Sequence, residues 1–287
     1  MIAPAALVRQ RFGELTPRTL IYHTLVIAFA FVMLYPILWM IASSFKPADK
    51  VFSTVTSLIP RHPTLDAYRR LFAQTPFVKY LRNSTIIAVT TTVGSLVLGS
   101  LGAYALARLR FPGRSVIARG LIFTYLVPQS LLFIPLFAIM STFALIDTRE
   151  GLVLAYLGIT LPFCTWLLLG YFRSVPLELE EAALVDGCSR LATLVRIILP
   201  MSLPALAVVA FFSFTQAWNE FIYANVLVNS VDVRTITTGL TLFIVEDVFF
   251  WGPMMAASVM ATIPPVLVYL AFQRWVVKGL TLGAVKG

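Results

Sequence analysis

Charged side chains are scarce in this sequence: they make up 12% of its 287 residues, where a soluble domain carries roughly a quarter. Hydrophobic residues reach 59%, which excludes an ordinary water-bathed globule and points to lipid as the solvent. Histidine occurs only as His23 and His62, and the two form no metal or nucleophile cluster with nearby partners. That leaves no catalytic constellation; the chain is expected to do no covalent chemistry and to hold no cofactor or metal of its own. A Gly-x-x-x-x-Gly-Lys-Ser/Thr loop is missing too, so any nucleotide the protein's work requires is bound by another chain. The two cysteines build no disulfide framework, because Cys164 sits inside an apolar run and Cys188 in a polar segment. The net charge of +9 does not argue for nucleic acid, since the basic residues lie in short segments between apolar runs.

What the sequence has in abundance is apolar stretches of membrane-crossing length, about 20 residues each. They cover 20–42, 84–107, 121–146, 152–172, 203–228 and 254–272. The expected fold is therefore all-α and polytopic, with six transmembrane helices. The first stretch is too long for a removed signal peptide and reads as a retained helix. Arg108, Arg110, Arg114 and Arg119 fall in one segment between helices, Arg173, Arg190 and Arg196 in the next but one. Such alternation marks cytoplasmic loops and sets both termini inside, although the long loop after the first helix carries basic residues of its own. The expected organisation is a cytoplasmic tail over 1–19 and one transmembrane domain over 20–287. Five stretches carry proline, at Pro36, Pro128 and Pro135, Pro162, Pro204, and Pro264 with Pro265, as kinks or as hinges. Ser95, Gly99, Ala103 and Ala107 recur every four residues in the second stretch, a stripe that lets helix backbones approach closely.

The segment 174–204 differs from the rest. Pro176 suits a helix start, and Glu178, Glu180 and Glu181 complement the dipole there. Ala182 and Ala183 continue the helix, and Gly187 is placed to close it in a left-handed conformation. Ser189 is a good N-cap for a second helix running to Ile198, with Pro200 expected to stop it. Leu191, Leu194, Val195 and Ile198 form an apolar stripe on that helix. The product is a cytoplasmic helix–turn–helix elbow between helices four and five. By these features alone it could be an amphipathic helix on the membrane surface or a packing element.

Elsewhere polar residues interrupt the apolar runs. Glu220 is the one carboxylate well inside them, and such an acid is either functional or, near an interface, hydrated or bonded to a neighbouring helix. Gln129, beside Pro128, and Asn219 are further candidates to line a pathway, against the plainer role of packing hydrogen bonds.

The elbow residues carry a resemblance. Glu181-Ala182-Ala183, three residues, Gly187, nine residues, then Ile197-x-Leu199-Pro200 resembles the coupling motif of bacterial ABC importer permeases. Pro36, Trp39 and Ser44-Phe45-Lys46-Pro47, then Asn83-Ser84, Ala103 to Arg108 with Phe111-Pro112-Gly113, Trp218-Asn219-Glu220-Phe221 and the tail from Gly279 to Gly287 extend it over nearly the whole chain. Together they look like the carbohydrate-uptake class that includes the smaller permease subunit of the maltose importer. The resemblance implies a bacterial inner-membrane protein that works with a second permease, two cytoplasmic ATPases holding ATP and Mg, and an extracytoplasmic solute-binding protein. It implies that Glu181 pairs with a basic residue of the ATPase, that Ala182 and Ala183 let the helix seat closely and that Gly187 permits the bend, with Ile197, Leu199 and Pro200 completing the motif. The tail 273–287 would reach the ATPases and the outer loop 229–253 the binding protein, although Phe249, Phe250 and Trp251 equally suit interfacial anchors.

Three alternatives remain. The same machine could import a glycerol-3-phosphate-type polyol phosphate, but such a cargo would want Arg or Lys within the helices, and none is there. A gradient-driven transporter would want a central charge relay, and a membrane enzyme would want a reactive cluster; this sequence offers neither.

Overall fold

The computed structural model describes residues 17–47, 51, 58–245 and 248–284, with backbone alone at 244–245, 248–249 and 276–284. Most of the expected tail 1–19 and the end of the tail 273–287, including Lys286, lie outside the described residues. The contacts fall into two compact units, 1–69 with 250–259, and 70–249 with 260–287.

In the first unit, α1 (Pro17–Ser44) is a 28-residue helix with Pro36 inside it. Its apolar side chains point outward, and only Ala42, Ser43 and Ser44 at its end are buried. There the chain is tied down. Ser44 shares a hydrogen bond with the Tyr68 hydroxyl at 2.8 Å, the Phe45 and Tyr68 rings lie 5.4 Å apart, and Thr64 N donates to Phe45 O. The Lys46 ammonium sits over the Trp39 ring. The motif at the exit of the first helix is thus a knot of local contacts.

The second unit is built on three helices: α3 (Phe77–Arg108), α6 (Arg149–Ser174) and α9 (Leu203–Asn219). A short α2 (Asp66–Gln74) precedes them. The small-residue stripe does what its spacing predicts. A Cβ on Gly99 would lie 3.6 Å from Cys164 Cβ, and one on Gly102 3.3 Å from the Thr165 methyl. Ser95 meets Thr160 at 2.8 Å, and Cys164 meets Ser213 of α9 at 3.3 Å. Ala103, Leu168, Phe172 and Val209 close the core between them. Trp218 Nε1 donates to Ala261 O of α12 (Trp251–Ala284), and the Phe211 ring lies 5.8 Å from Tyr269.

Two apolar stretches depart from the single helices expected of them. The third divides into α4 (Arg114–Leu126), a 3-10 turn at Gln129–Leu131, and α5 (Phe133–Thr142). Pro128 is the cause: it forces Val127 before it into an extended conformation, ψ 126°, and offers no N–H to carry the helix on. The fifth divides at Glu220, which is extended at ψ 130°, between α9 and α10 (Ile222–Leu227). No proline sits at that break; the Glu220 carboxylate caps α10 instead. By length and composition α1, α3, α6 and α12 can each cross a membrane, and a fifth span results if α9 and the helix Arg190–Met201 before it, bent by 85°, count as one.

Here α8 is Arg190–Met201. It follows α7 (Leu177–Val185) across Gly187, whose φ of +85° lets Cys188 N reach Ala183 O and Gly187 N reach Leu184 O, the closure glycine favours. Ser189 caps α8 by accepting from Ala192 N, as its place predicts. Pro200 does not stop the helix, which runs on to Met201. The reason is the π-wound turn Leu194–Ile198, where Leu199 N donates five residues back to Leu194 O; the wider winding makes room for the ring. The expected apolar stripe is split as a result. Leu194 and Ile198 are buried, whereas Leu191 and Val195 are exposed. Past α10 come α11 (Ile236–Leu240) and a small antiparallel pair, β1 (Ile244–Val245) with β2 (Val248–Phe249).

Candidate functional site

The elbow is fastened from beneath by a buried acid. Glu180 is 2% exposed, its Oε2 lies 2.9 Å from Arg108 Nε, and its Oε1 accepts from the Tyr104 hydroxyl. Arg108 also donates to Val175 O at 2.7 Å, at the turn into α7. The last turn of α3 therefore holds α7 at both ends of its first turn. A buried charge is tolerated only with such a partner and supporting donors.

With Glu180 turned inward, helical spacing turns Glu181 and Ala182 outward, and both are exposed. Ala183 is buried at 5%, so only one of the two alanines faces out. Gly187 and Pro200 are exposed, while Ile197 and Leu199 are half-buried. Beside them Val185 is 87% exposed, an apolar side chain held out at the elbow tip. Sequence reasoning singled out Glu181 and missed Glu180 and Arg108. Arg108 ends the second apolar stretch, and nothing in the linear order tells which of three neighbouring acids it takes.

A second constellation lies at the break after α9. Gln129, Asn219 and Glu220, each proposed from the sequence as pathway-lining, come together around one cavity of about 300 Å³. Tyr156, Ile159, Thr160, Gln216, Ala217, Phe221 and Ile222 complete its wall. The Glu220 carboxylate accepts from Tyr223 N at 2.8 Å and Ala224 N at 3.0 Å, a cap that satisfies free donors at the start of α10. Its carbonyl accepts from the Thr237 hydroxyl, and the Tyr223 hydroxyl donates to Gln129 O at 2.7 Å. Tyr156 and Gln216 were not foreseen; each sits on the cavity side of a helix that reads only as apolar.

Asn83 and Ser84, noted for their resemblance alone, also find a role. Asn83 donates to Asp232 O and Arg234 O, Ser84 Oγ accepts from Ile236 N, and Lys79 pairs with Asp232 at 2.6 Å. The start of α3 thereby grips the loop before α11. Asp147, at φ +60°, holds the other side of that loop by accepting from Asn229 N and Ser230 N. Desolvation alone would raise the Asp147 carboxyl, but these backbone donors and the nearby Arg234 outweigh it and hold it below the usual carboxylate range.

The chain is similar to known transport proteins along most of its length. The family model described as binding-protein-dependent transport system inner membrane component matches residues 71–282. The trehalose/maltose transport system permease protein MalG of Thermococcus litoralis is 40% identical over 264 residues, 91% of this chain and 94% of the relative. The diacetylchitobiose uptake system permease protein NgcG of Streptomyces coelicolor is 34% identical over 265 residues, 92% and 87% of the two chains. Among solved structures, a chain of a bacterial ABC transporter involved in the import of the acidic polysaccharide alginate superposes with a TM-score of 0.80 at 26% identity, covering 92% of this chain and 99% of that one.

Proposed function

The chain belongs to the binding-protein-dependent transport system inner membrane components, and on that premise we propose that it forms half of the translocation path of an ATP-driven sugar or oligosaccharide importer. It is a multi-pass inner-membrane protein and a non-catalytic subunit of an ABC transporter. The observation that carries the cargo class is the likeness, along nearly full length, to permeases whose names specify trehalose, maltose and diacetylchitobiose. The cavity fits that class better than a polyol phosphate, because its wall carries a carboxylate and no Lys or Arg.

In this reading the permease domain is 20–287, and it crosses the membrane six times with both termini inside. Two of the crossings are the broken pairs α4–α5 and α9–α10. A second permease supplies the other half of the path, and two cytoplasmic ATPases bind ATP and Mg. A solute-binding protein delivers sugar to the outer loop 229–253. The elbow 174–204 docks into an ATPase, with Glu181 toward a basic residue, Ala182 and Val185 seated against its surface, Gly187 permitting the turn, and Ile197, Leu199 and Pro200 joining the elbow to α9. The fastening of α7 through Glu180 and Arg108 supports this, because motion of a docked elbow is then delivered to α3. ATP-driven closure of the ATPases would switch the helices between two states by differential binding. The tail 273–287 would add a second contact to the ATPases.

The test is to purify the chain with the subunits encoded beside it, reconstitute them, and measure ATP hydrolysis with binding protein and sugar. Glu181→Lys and Gly187→Val are expected to abolish sugar-driven hydrolysis while membrane insertion stays normal. Coupled hydrolysis at the unmodified rate in both variants would remove the coupling assignment.

A further inference from the structure

We propose that the Arg108–Glu180 ion pair is a register key: it selects which face of α7 the elbow presents, and so keeps Glu181 and Val185 turned out for the ATPase. Glu180 is on this account a positioning residue that acts through Glu181. The inference rests on the permease reading above and names the device that orients its docking face.

The apolar pattern of α7 points the other way. Leu177, Glu181, Leu184 and Val185 fall at i, i+4, i+7 and i+8, which is one face of a helix. Burial of apolar area would turn that face inward. It is turned out instead: Leu177 is 48% exposed and Val185 87%, Glu181 is exposed and Leu184 only half-buried. The inward face carries Glu180 and Ala183, the two buried residues of this nine-residue helix. A carboxylate and one methyl do not fix the rotation of a helix by hydrophobic burial.

What fixes it is polar. Arg108 Nε lies 2.9 Å from Glu180 Oε2, with both side chains nearly enclosed. The Tyr104 hydroxyl donates to the other carboxylate oxygen, and a second Arg108 nitrogen donates to Val175 O just before the helix. Were Arg108 to take Glu181 in place of Glu180, α7 would roll by about 100° and the docking acid would be buried. A buried ion pair adds little net stability over apolar residues of the same volume, because desolvation offsets the attraction; its better use is to specify one arrangement among several. Here two arrangements compete, and the pair opposes the one that apolar burial favours.

The test separates register from stability. Tyr104→Phe, Arg108→Met and Glu180→Leu are combined, so that no buried charge or hydroxyl of the cluster is left unpaired. Register is read by maleimide labelling of the full-length chain, coexpressed with the second permease in inside-out vesicles lacking the ATPase. The background is Cys188→Ser, since Cys164 is buried. With the cluster intact, Ala182→Cys is expected to react at least about tenfold faster than Ala183→Cys, whose position is 5% exposed. In the triple variant the two rates should converge, and Val185→Cys should change from reactive to protected. The melting point of the purified permease pair should not fall. In the reconstituted complex, the stimulation of ATP hydrolysis by binding protein with trehalose or maltose should drop about fivefold or more.

Ala183→Cys still protected and Val185→Cys still reactive in the triple variant would mean that something else sets the register, and would overturn the key. A melting point that falls together with the labelling contrast would make the cluster an ordinary support, and full stimulation despite a lost contrast would remove its positioning role. Either result leaves the permease reading standing. If the intact chain labels as expected but its complex shows no stimulation by binding protein, the coupling reading fails and the role of the key in coupling fails with it, while the register itself stands.

Discussion

The helices α1 and α3 reverse the rule that holds in water. The most apolar 18-residue window of α1 has mean hydropathy 2.5 and is 6% buried within the chain; that of α3 has mean hydropathy 1.8 and is 39% buried. The more apolar helix is the less enclosed one. In lipid, apolar side chains gain nothing by hiding from the solvent, so association follows from close backbone approach and from hydrogen bonds between helices. α3 has Gly94, Ser95, Gly99, Gly102 and Ala103 for the first and Ser95 for the second; α1 has Leu25, Ile27, Phe29 and Phe31 pointing outward.

The contrast extends to the acids Glu180 and Glu181, adjacent in sequence and opposite in environment. The largest effect is expected there. Glu180→Ala leaves the Arg108 charge uncompensated and should cost about 3–5 kcal/mol, while Glu181→Ala should leave stability within about 0.5 kcal/mol; thermal unfolding of the purified complex distinguishes them. Equal melting points for the two variants would break the comparison. Next comes the stripe. Gly99→Ala places its methyl at ordinary contact distance, 3.6 Å from Cys164 Cβ, and should be tolerated, but Gly99→Leu overpacks the α3–α6 seam and should cost about 1–3 kcal/mol. Ile27→Ala on α1, by comparison, should change stability by less than about 0.5 kcal/mol, since Ile27 is 69% exposed. A larger loss at Ile27 than at Gly99 would mean that apolarity organises this molecule after all.

The smallest effect concerns pH. The Asp147 carboxyl is held below the ordinary aspartate value of 3.8, so its contribution to stability is fully present above that pH and is lost as pH falls through the lower folded-state value. Asp147→Asn should therefore melt below wild type at pH 6, and the gap should narrow as pH drops below about 4. A gap that widens on acidification would show that some other group holds the loop.

Much of this was legible in the sequence because it depends on neighbours in the chain. The stripe on α3 follows from a spacing of four, and Gly187 from the need for a left-handed residue between two helical patterns. The break at Pro128 could be read only as a kink, because the severity of a proline depends on what replaces its missing hydrogen bond, and at Pro200 a π-wound turn absorbed the same perturbation. The break at Glu220 carries no local signal, since the carboxylate ends one helix by capping the next. The partners Glu180 and Arg108 are 72 positions apart, and their pairing is a property of the packed helices. The cavity was half legible: Gln129, Asn219 and Glu220 stand out as polar residues among apolar ones, while Tyr156 and Gln216 are ordinary in membrane helices until packing sets them on the same wall.

One helix holds both the outer loop and the elbow. Asn83, Ser84 and Lys79 at the start of α3 grip the loop before α11, and Tyr104 with Arg108 at its end grips the elbow. At 1.5 Å per residue, Asn83 and Arg108 stand about 38 Å apart, on a helix with no proline inside it. Mechanically α3 is a push rod with a fixed coupling at each end. It has no proline joint in which a displacement could be taken up, so in the proposed coupling a shift of the elbow along its axis would arrive at the far loop at nearly full stroke.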